Sequence, residues 1–592
     1  MSEYRPPFDD MKFVLNEVLG LGRYSAFPGF ENVDEGFVSS TIDHFGAFAA
    51  KELGPLNAAG DLAGASLSSD GVVAAPGFVT AYQRYVEGGW PLLACREEDG
   101  GSGLPGIIRT IVDEMVTGAN LSFSMVANMS PGAYQVISRC APDEVKALYL
   151  PKVVSGEWTA AMSLTEAQCG SALGFVRTRA EPGTDGTFRI TGTKMFNSWG
   201  DHDLAENIVH LVLARLPNAP DGIKGLSLFL VPKFIAKPGG GLAERNGFSV
   251  GSLEKKLGIH ASPTCLTNFE GATGYLIGAP NRGMANMFII MNSMRLATGA
   301  GSVGIADAAY QNALGYTRER IAGRSVSGAK HPELPGDPII VHPDVRRMLM
   351  SMRAIVEAGR ALCFWVSLHL DLGEVHPDSR KRQDHEALVS LLTPVVKAYL
   401  SDKAFDCTDI ALQCFGGHGY IRDNGAEQYL RDARMLRLGE GTSGIQAMDF
   451  IGRKVVADGA SMLSRYFDII RESLEGWVLA GVTEEVRAAL DSVLQLTHDE
   501  LPKWSADPER MAAVSLDYLH IVGFLSLGFM WAKLARTACE SLERDSGDAK
   551  FMTNKLKTAR FYCAYLLPEI EALSIRVRAG SDATMALHEN DF

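Results

Sequence analysis

One carboxylate in this chain has the surroundings of a base. Glu440 lies in Arg431-Asp-Ala-Arg-Met-Leu-Arg-Leu-Gly-Glu-Gly-Thr-Ser-Gly-Ile-Gln446, between Gly439 and Gly441, with the hydroxyl of Thr442 directly after the second glycine. The glycines allow a turn that a Cβ would obstruct and leave room for a large group beside the carboxylate. Walled by apolar helices, a carboxylate there is desolvated and is a stronger base than a surface Glu. A bare Gly-Glu-Gly would more often be a solvated loop. The basic, amphipathic run before it and the segment Gln413-Cys-Phe-Gly416-Gly417-His418-Gly419-Tyr420 upstream argue otherwise.

These two segments, in this order and at this spacing, resemble the C-terminal signature of the acyl-CoA dehydrogenase family. The resemblance implies that Glu440 is the catalytic base and that Thr442 contacts the flavin. It implies that Gln413, Gly416 and Gly417 approach the ADP part of FAD bound to a neighbouring subunit. Gly439 and Gly441 would then border the acyl substrate. The family usually carries Tyr at the position of Gly439, so the missing ring enlarges the pocket beside the thioester.

Further upstream, Ala160-Ala-Met162-Ser-Leu164-Thr165-Glu166-Ala-Gln-Cys-Gly170-Ser171 resembles the family's flavin-binding segment. Met162, Leu164 and Thr165 would reach the flavin, and Ser171 would lie near the CoA arm. Ala167 stands for the usual Pro and Ala172 for the usual Asp, which bears on loop geometry. Without the resemblance, Thr165-Glu166 would be an ordinary helix cap. In Ile190-Thr-Gly-Thr-Lys-Met-Phe196-Asn-Ser198, Phe196 matches the aromatic that packs on the flavin and Ser198 the hydroxyl that meets flavin N5. Taken alone, Phe196 is as readily a core residue. Arg295 would border the substrate, and Arg320 would meet the FAD pyrophosphate across a subunit interface, as suits a guanidinium. The family's usual Phe after this Arg is absent, and a surface salt bridge to Glu319 is the alternative for Arg320.

Some relatives carry the base just before the position of Arg295. Met294 stands there, which leaves the role to Glu440.

The elements around these motifs follow from periodicity. Residues 1–35 form an N-terminal arm, and 36–157 are mostly helical. Pro142, Asp143 and Glu144 open one helix there, with an apolar face of Val145, Leu148 and Tyr149. Residues 158–285 are β-rich, with strands at Ile190 onward and Asn207 to Arg215. Residues 286–457 are long helices, one of them starting at Pro343 with the stripe Val345, Met348, Met352, Ile355 and Leu362. Arg324 to Pro338, rich in Gly, Pro and Ser, should be a mobile surface loop. Residues 458–592 form an extra helical domain, with Met462, Tyr466, Phe467 and Ile470 at helical spacing. The fold class is α+β. The resemblance makes it the acyl-CoA dehydrogenase fold: an N-terminal helical domain, a β-barrel-like domain and a C-terminal helical bundle, followed by the extra helical domain.

Composition narrows the function. The 592 residues are 46% apolar and 21% charged, a globular balance, and the net charge of −14 disfavours tracking a polyphosphate. The segment after residue 457 carries 14 Lys and Arg against 21 Asp and Glu, which argues against nucleic acid as a partner. Nine scattered cysteines without a C-x-x-C pair suggest free thiols in a reducing compartment and no structural metal. The start, Met-Ser-Glu-Tyr-Arg-Pro-Pro, is unlike a signal peptide. Ile521 to Ala532 is too short to span a bilayer, so a buried core helix and a cytoplasmic protein are expected.

Two sequences imitate a dinucleotide fingerprint. Gly101-Ser-Gly103-Leu-Pro105-Gly106 follows three carboxylates, and Pro105 should interrupt the helix start that would receive a pyrophosphate. Gly299-Ala-Gly301-Ser-Val-Gly304 lies inside a helical pattern and should serve close helix packing.

The resemblance therefore implies an FAD-dependent α,β-desaturation of an acyl-CoA thioester, with electrons passed to an electron-transfer flavoprotein. The long form with a C-terminal extension, similar to 3-methylmercaptopropionyl-CoA dehydrogenases, implies a homodimer. Its substrates would be medium- or long-chain, branched or 3-methylmercaptopropionyl thioesters. An acyl-CoA oxidase and a non-catalytic flavoprotein acting on nucleic acid are the alternatives.

Overall fold

The computed structural model describes residues 4–239 and 241–592. In chain order, α1 (Phe8–Lys12), α2 (Glu35–Phe48) and α3 (Gly54–Ala63) precede a hairpin of β1 (Ser66–Ser68) and β2 (Gly71–Val73). Helices α4 to α8 follow (Phe78–Glu87, Gly106–Ala119, Leu121–Ala127, Met129–Cys140 and Asp143–Ser155). Strands β3 to β7 are Trp158–Ser163, Arg179–Pro182, Phe188–Ser198, Asn207–Arg215 and Leu226–Pro232. Strands β8 to β11 are Phe234–Ala236, Leu242–Arg245, Phe248–Leu253 and Thr264–Ile277. Next come α9 (Gly283–Glu319), α10 (Pro343–Val375), α11 (Ser379–Phe415), α12 (Ala426–Leu436) and α13 (Ser443–Met448). The chain ends with α14 (Ser461–Leu474), α15 (Thr483–Ala506), α16 (Pro508–Glu543), α17 (Ala549–Tyr565) and α18 (Glu569–Ala579). It divides into two compact units, residues 47–297 on the one hand, and residues up to 46 with 298–592 on the other.

In the unit of residues 47–297, the sheet runs β10-β11-β5-β4-β6-β3, and β7 pairs with both β11 and β6. That second pairing closes β11, β5, β4, β6 and β7 into a ring, the expected barrel-like domain. β6 and β7 are buried almost throughout, and their mostly apolar runs, interrupted by His210 and Ser227, suit strands covered on both faces. Pro142 caps α8 as the sequence predicts, and Val145 and Tyr149 are buried on it. The hairpin β1–β2 was not anticipated within the helical region; it is three residues on each side and too short for a periodic signal. Pro105 does not obstruct a helix start. It is the N-cap of α5, compatible with its fixed φ, and what precedes it is a 3₁₀ turn, Glu97–Asp99, rather than a strand.

The other unit is helical. Gly299 lies in α9, where a Cβ would come within 2.4 Å of Val396 Cγ1 on α11, so the glycine does permit close helix packing. Met348, Met352, Ile355 and Leu362 are buried along α10. On α14 the buried stripe is Leu463, Tyr466, Phe467 and Ile470, with Leu463 taking the place predicted for Met462. α16 has the length and composition of a membrane span, but 78% of its apolar window is buried in the protein. Its segment Ile521 to Ala532 is a core helix, packed so closely that a Cβ on Gly523 would fall 2.3 Å from the ring of Tyr399.

Residues 324–338 are a loop, but not the free one expected. Asp337 is fully buried and accepts the backbone N–H groups of Ser325, Lys330 and His331 at 2.9, 3.0 and 2.7 Å. These N–H donors, ahead of the Arg324 charge, bring its carboxyl down to about 2. One carboxylate organises the whole turn, which composition alone does not reveal.

Candidate functional site

In the unit of residues 47–297, Met162 lies near the end of β3, and Leu164, just past it, leads into the Thr165 turn. The backbone N–H of Met195 donates to Thr165 O at 2.8 Å, which sets this turn beside the end of β5. Phe196 is not a core residue. It is 59% exposed although it lies within a strand, and its φ is +57°. The cause is a bulge. Between the pairs Lys194–Thr267 and Asn197–Cys265, Met195 and Phe196 face the single residue Leu266. An extra residue re-aims the side chains around it, as bulges beside functional sites do. A bulky residue in the left-handed region costs about 1–3 kcal/mol, a strain characteristic of ligand clamps. Ser198, half-buried, follows two residues on.

Under the turn lies a buried ion pair. Lys194 Nζ donates to Glu166 Oε1 at 2.8 Å and to Leu164 O at 3.0 Å. Glu166 also accepts Arg177 N at 2.8 Å, Thr178 N at 3.0 Å and Thr178 Oγ1 at 2.6 Å. Burial alone would raise the Glu166 carboxyl, but the Lys194 charge and these donors bring it down to about 2. No helix starts here, so Thr165-Glu166 is not a helix cap; Glu166 anchors the loop from below. Ser171 is exposed on the continuation of that loop, and Arg295 is buried in α9 with Met294 beside it.

In the other unit, Gly439, Glu440, Gly441 and Thr442 form the turn between α12 and α13. Glu440 is half-buried and itself takes the left-handed conformation, φ +57°, followed by Gly441 at +87°. Gly439 is not in that region, contrary to the simplest reading of a flanking glycine. Its Cβ would meet only the flexible end of Met435, at 2.9 Å from Sδ. The turn is held at each carbonyl. Gln446 Nε2 donates to Glu440 O at 2.7 Å, and the fully buried Lys397 donates from Nζ to Gly441 O at 2.6 Å. Thr442 caps α13 through Ile445 N at 3.4 Å.

Gln413, Gly416 and Gly417 are exposed at the end of α11, and a Cβ on either glycine would meet open space. Arg320 is exposed just past the end of α9. The two segments come together: Tyr316, one turn before Arg320, stacks on Phe415 at 4.3 Å and hydrogen-bonds His418 Nδ1 at 2.9 Å. Among the described residues, no ion pair joins Arg320 to Glu319.

Sequence reasoning singled out neither Lys194 nor Lys397, and it missed the hydrogen bond between Asp402 on α11 and His520 on α16. A lysine inside an apolar strand or helix was the available signal for the first two. The partners of Lys397 and Asp402, 35 residues or more away, had none.

The chain matches the acyl-CoA dehydrogenase N-terminal domain over residues 40–157, the middle domain over 161–272 and the C-terminal domain over 281–455. Residues 461–588 match a domain described as acetyl-CoA dehydrogenase C-terminal like. It is 39% identical to 3-methylmercaptopropionyl-CoA dehydrogenase of Ruegeria pomeroyi, covering 98% of this chain and 99% of that one. Among solved structures, Caenorhabditis elegans ACDH-11 in complex with C11-CoA shares the fold at TM-score 0.75 and 22% identity, over 100% of this chain and 97% of that one. An acyl-CoA dehydrogenase complexed with FAD from Bacillus anthracis does so at TM-score 0.69 and 22% identity, over 85% and 82%. The chain belongs to the acyl-CoA dehydrogenase family, whose enzymes depend on FAD.

Proposed function

We propose that this enzyme desaturates an acyl-CoA between its α and β carbons with Glu440 as the base. The observation that carries this reading is the strained, clamped turn. A glutamate held at positive φ, with the carbonyls beside it tied by Lys397 and Gln446, has its backbone and its Cα–Cβ direction set before substrate arrives, which supports a positioned base. Glu440 takes the α-proton. On this reading its own main-chain N–H donates to the thioester carbonyl and makes that proton acidic.

The residues fit the cofactor. Phe196 offers an exposed ring, Thr165 and Ser198 offer hydroxyls beside it, and Gly416 and Gly417 offer bare backbone. Bound FAD supplies the acceptor for the hydride from the β-carbon. The packing of Tyr316, one turn before Arg320, on Phe415 and His418, with Arg320, Gly416 and Gly417 exposed, supports their service to a neighbouring subunit, and hence a homodimer. Light scattering that finds a fully flavinated monomer would contradict it. Nine free thiols support a reducing, cytoplasmic setting.

For substrate we favour 3-methylmercaptopropionyl-CoA, after the 39% identical relative of that name. The absence of a side chain at Gly439 supports room beside the reacting carbons for this or a branched chain. An electron-transfer flavoprotein is the acceptor of choice. Anaerobic addition of a panel of acyl-CoAs tests the whole reading by the bleaching of the flavin. Bleaching with slow reoxidation in air is expected. Fast reoxidation would make the protein an oxidase, and no bleaching would sink the enzymatic assignment.

A further inference from the structure

The catalytic turn is also held from outside, by a residue of the segment that follows the core dehydrogenase domains. Asp402 on α11 is nearly fully buried and gathers three donors. Arg437, two residues before Gly439, donates from Nε to Oδ1 at 2.7 Å; Ser443, directly after Thr442, donates from Oγ to the same oxygen at 2.8 Å. One carboxylate oxygen therefore ties both shoulders of the Gly439–Thr442 turn together. The other oxygen, Oδ2, accepts Nε2 of His520 at 2.9 Å, and His520 lies on α16. The close approach of Gly523 to Tyr399 makes this contact: one turn along each crossing helix, it brings His520 onto Asp402.

We infer that His520 is a positioning residue for the dehydrogenation, acting through Asp402 to hold the turn that carries Glu440. The extra C-terminal domain then has a role in catalysis, because it supplies the last hydrogen bond that fixes the Asp402 carboxylate. Left with Arg437 and Ser443 alone on one oxygen, Asp402 can rotate about its Cβ–Cγ bond, and the two shoulders lose their common anchor. Burial by itself would raise the Asp402 carboxyl; His520, Ser443 and Arg437 together bring it below the usual range, so all three meet a carboxylate. His520 also lines a cleft of about 270 Å³, together with Lys403, Phe524, Leu573 and Arg576.

The inference rests on Glu440 being the base, and the test separates the two. Holoenzyme is mixed anaerobically with the acyl-CoA that bleaches the flavin fastest, and the reduction rate and its half-saturating concentration are measured. His520→Leu should reduce its flavin about 10- to 100-fold more slowly, the scale of an ångström-sized misplacement. Its half-saturation and flavin content should match wild type. His520→Gln, whose amide N–H can replace Nε2, should recover most of the rate. Imidazole added to His520→Ala should raise its rate through the adjacent cleft. Ser443→Ala, which removes one anchor without touching α16, should slow reduction even if the His520 variants fold poorly. A wild-type rate in His520→Leu, or equal losses in the Leu and Gln variants, overturns the inference. A wild-type rate in Glu440→Gln instead overturns the assignment of the base.

Discussion

Lys397 Nζ lies 2.6 Å from the carbonyl oxygen of Gly441, so a buried ammonium on one bundle helix pins the turn that carries Glu440. A hydrogen bond from a charged donor contributes about 1.5–3 kcal/mol, enough to offset the left-handed backbone at Glu440. Lys397→Met keeps the length and loses the donor. Stopped-flow reduction should slow by about tenfold or more while FAD is retained, on the same misplacement argument. An unchanged rate would show that the turn holds itself.

Glu440→Gln removes the base and little else. General-base contributions run to about 10²–10⁴-fold, and reduction should fall by at least that range. Buried Met294 has no group to substitute. The variant should still bind acyl-CoA, seen as a perturbed flavin spectrum without bleaching.

Gly439 tests the pocket. Because its φ is not left-handed, Tyr is allowed there by the backbone, and only the flexible Met435 must move. Gly439→Tyr should spare straight short acyl-CoAs and penalise branched ones by roughly 10- to 200-fold in kcat/KM, as overlap with a methyl group does. Equal losses on both substrates would refute a steric role.

The Glu166–Lys194 pair gives a pH signature. The Glu166 carboxyl falls from the usual 4.5 to about 2 in the folded protein. A lowered carboxyl stabilises the fold above its unfolded value and loses that contribution as pH falls through the folded one. Wild type should therefore lose stability from about pH 4.5 towards pH 2 on this account, and Glu166→Gln should lack that part of the slope in acid melts. Lys194→Met leaves the buried carboxylate its neutral donors but no counter-charge and should cost about 3–5 kcal/mol at neutral pH.

The N-terminal arm provides a second such test. Asp10 is ion-paired with both Arg360 on α10 and Lys555 on α17, and Lys555 also reaches Glu357 at 2.8 Å. Lys555→Met leaves the carboxylates of Asp10 and Glu357 each one cation short, held by Arg360 and Arg353 alone, and should destabilise the fold by about 1.5–3 kcal/mol, read from denaturant melts. Asp10→Asn, which relieves one of them, should restore part of the loss in the double variant.

Much of this protein was determined by its sequence alone. The motifs around Thr165, Phe196, Arg320, Gly416 and Glu440 are local, so residue type and spacing suffice to expose them. The helical and β regions follow from periodicity, and α16 was legible as a core helix because its apolar run, Ile521 to Ala532, is too short to span a bilayer. The tertiary structure decided what depends on distant partners. Pairing with β11 puts a bulge at Met195–Phe196 and turns Phe196 outward. Lys397 and Gln446 force the positive φ onto Glu440 rather than onto Gly439. Asp337 orders a loop whose composition suggested freedom. Asp402 meets His520 across 118 positions. A chain carries its periodicities in neighbouring residues, but a hydrogen bond between two helices depends on where each is packed, and no stretch of sequence states that.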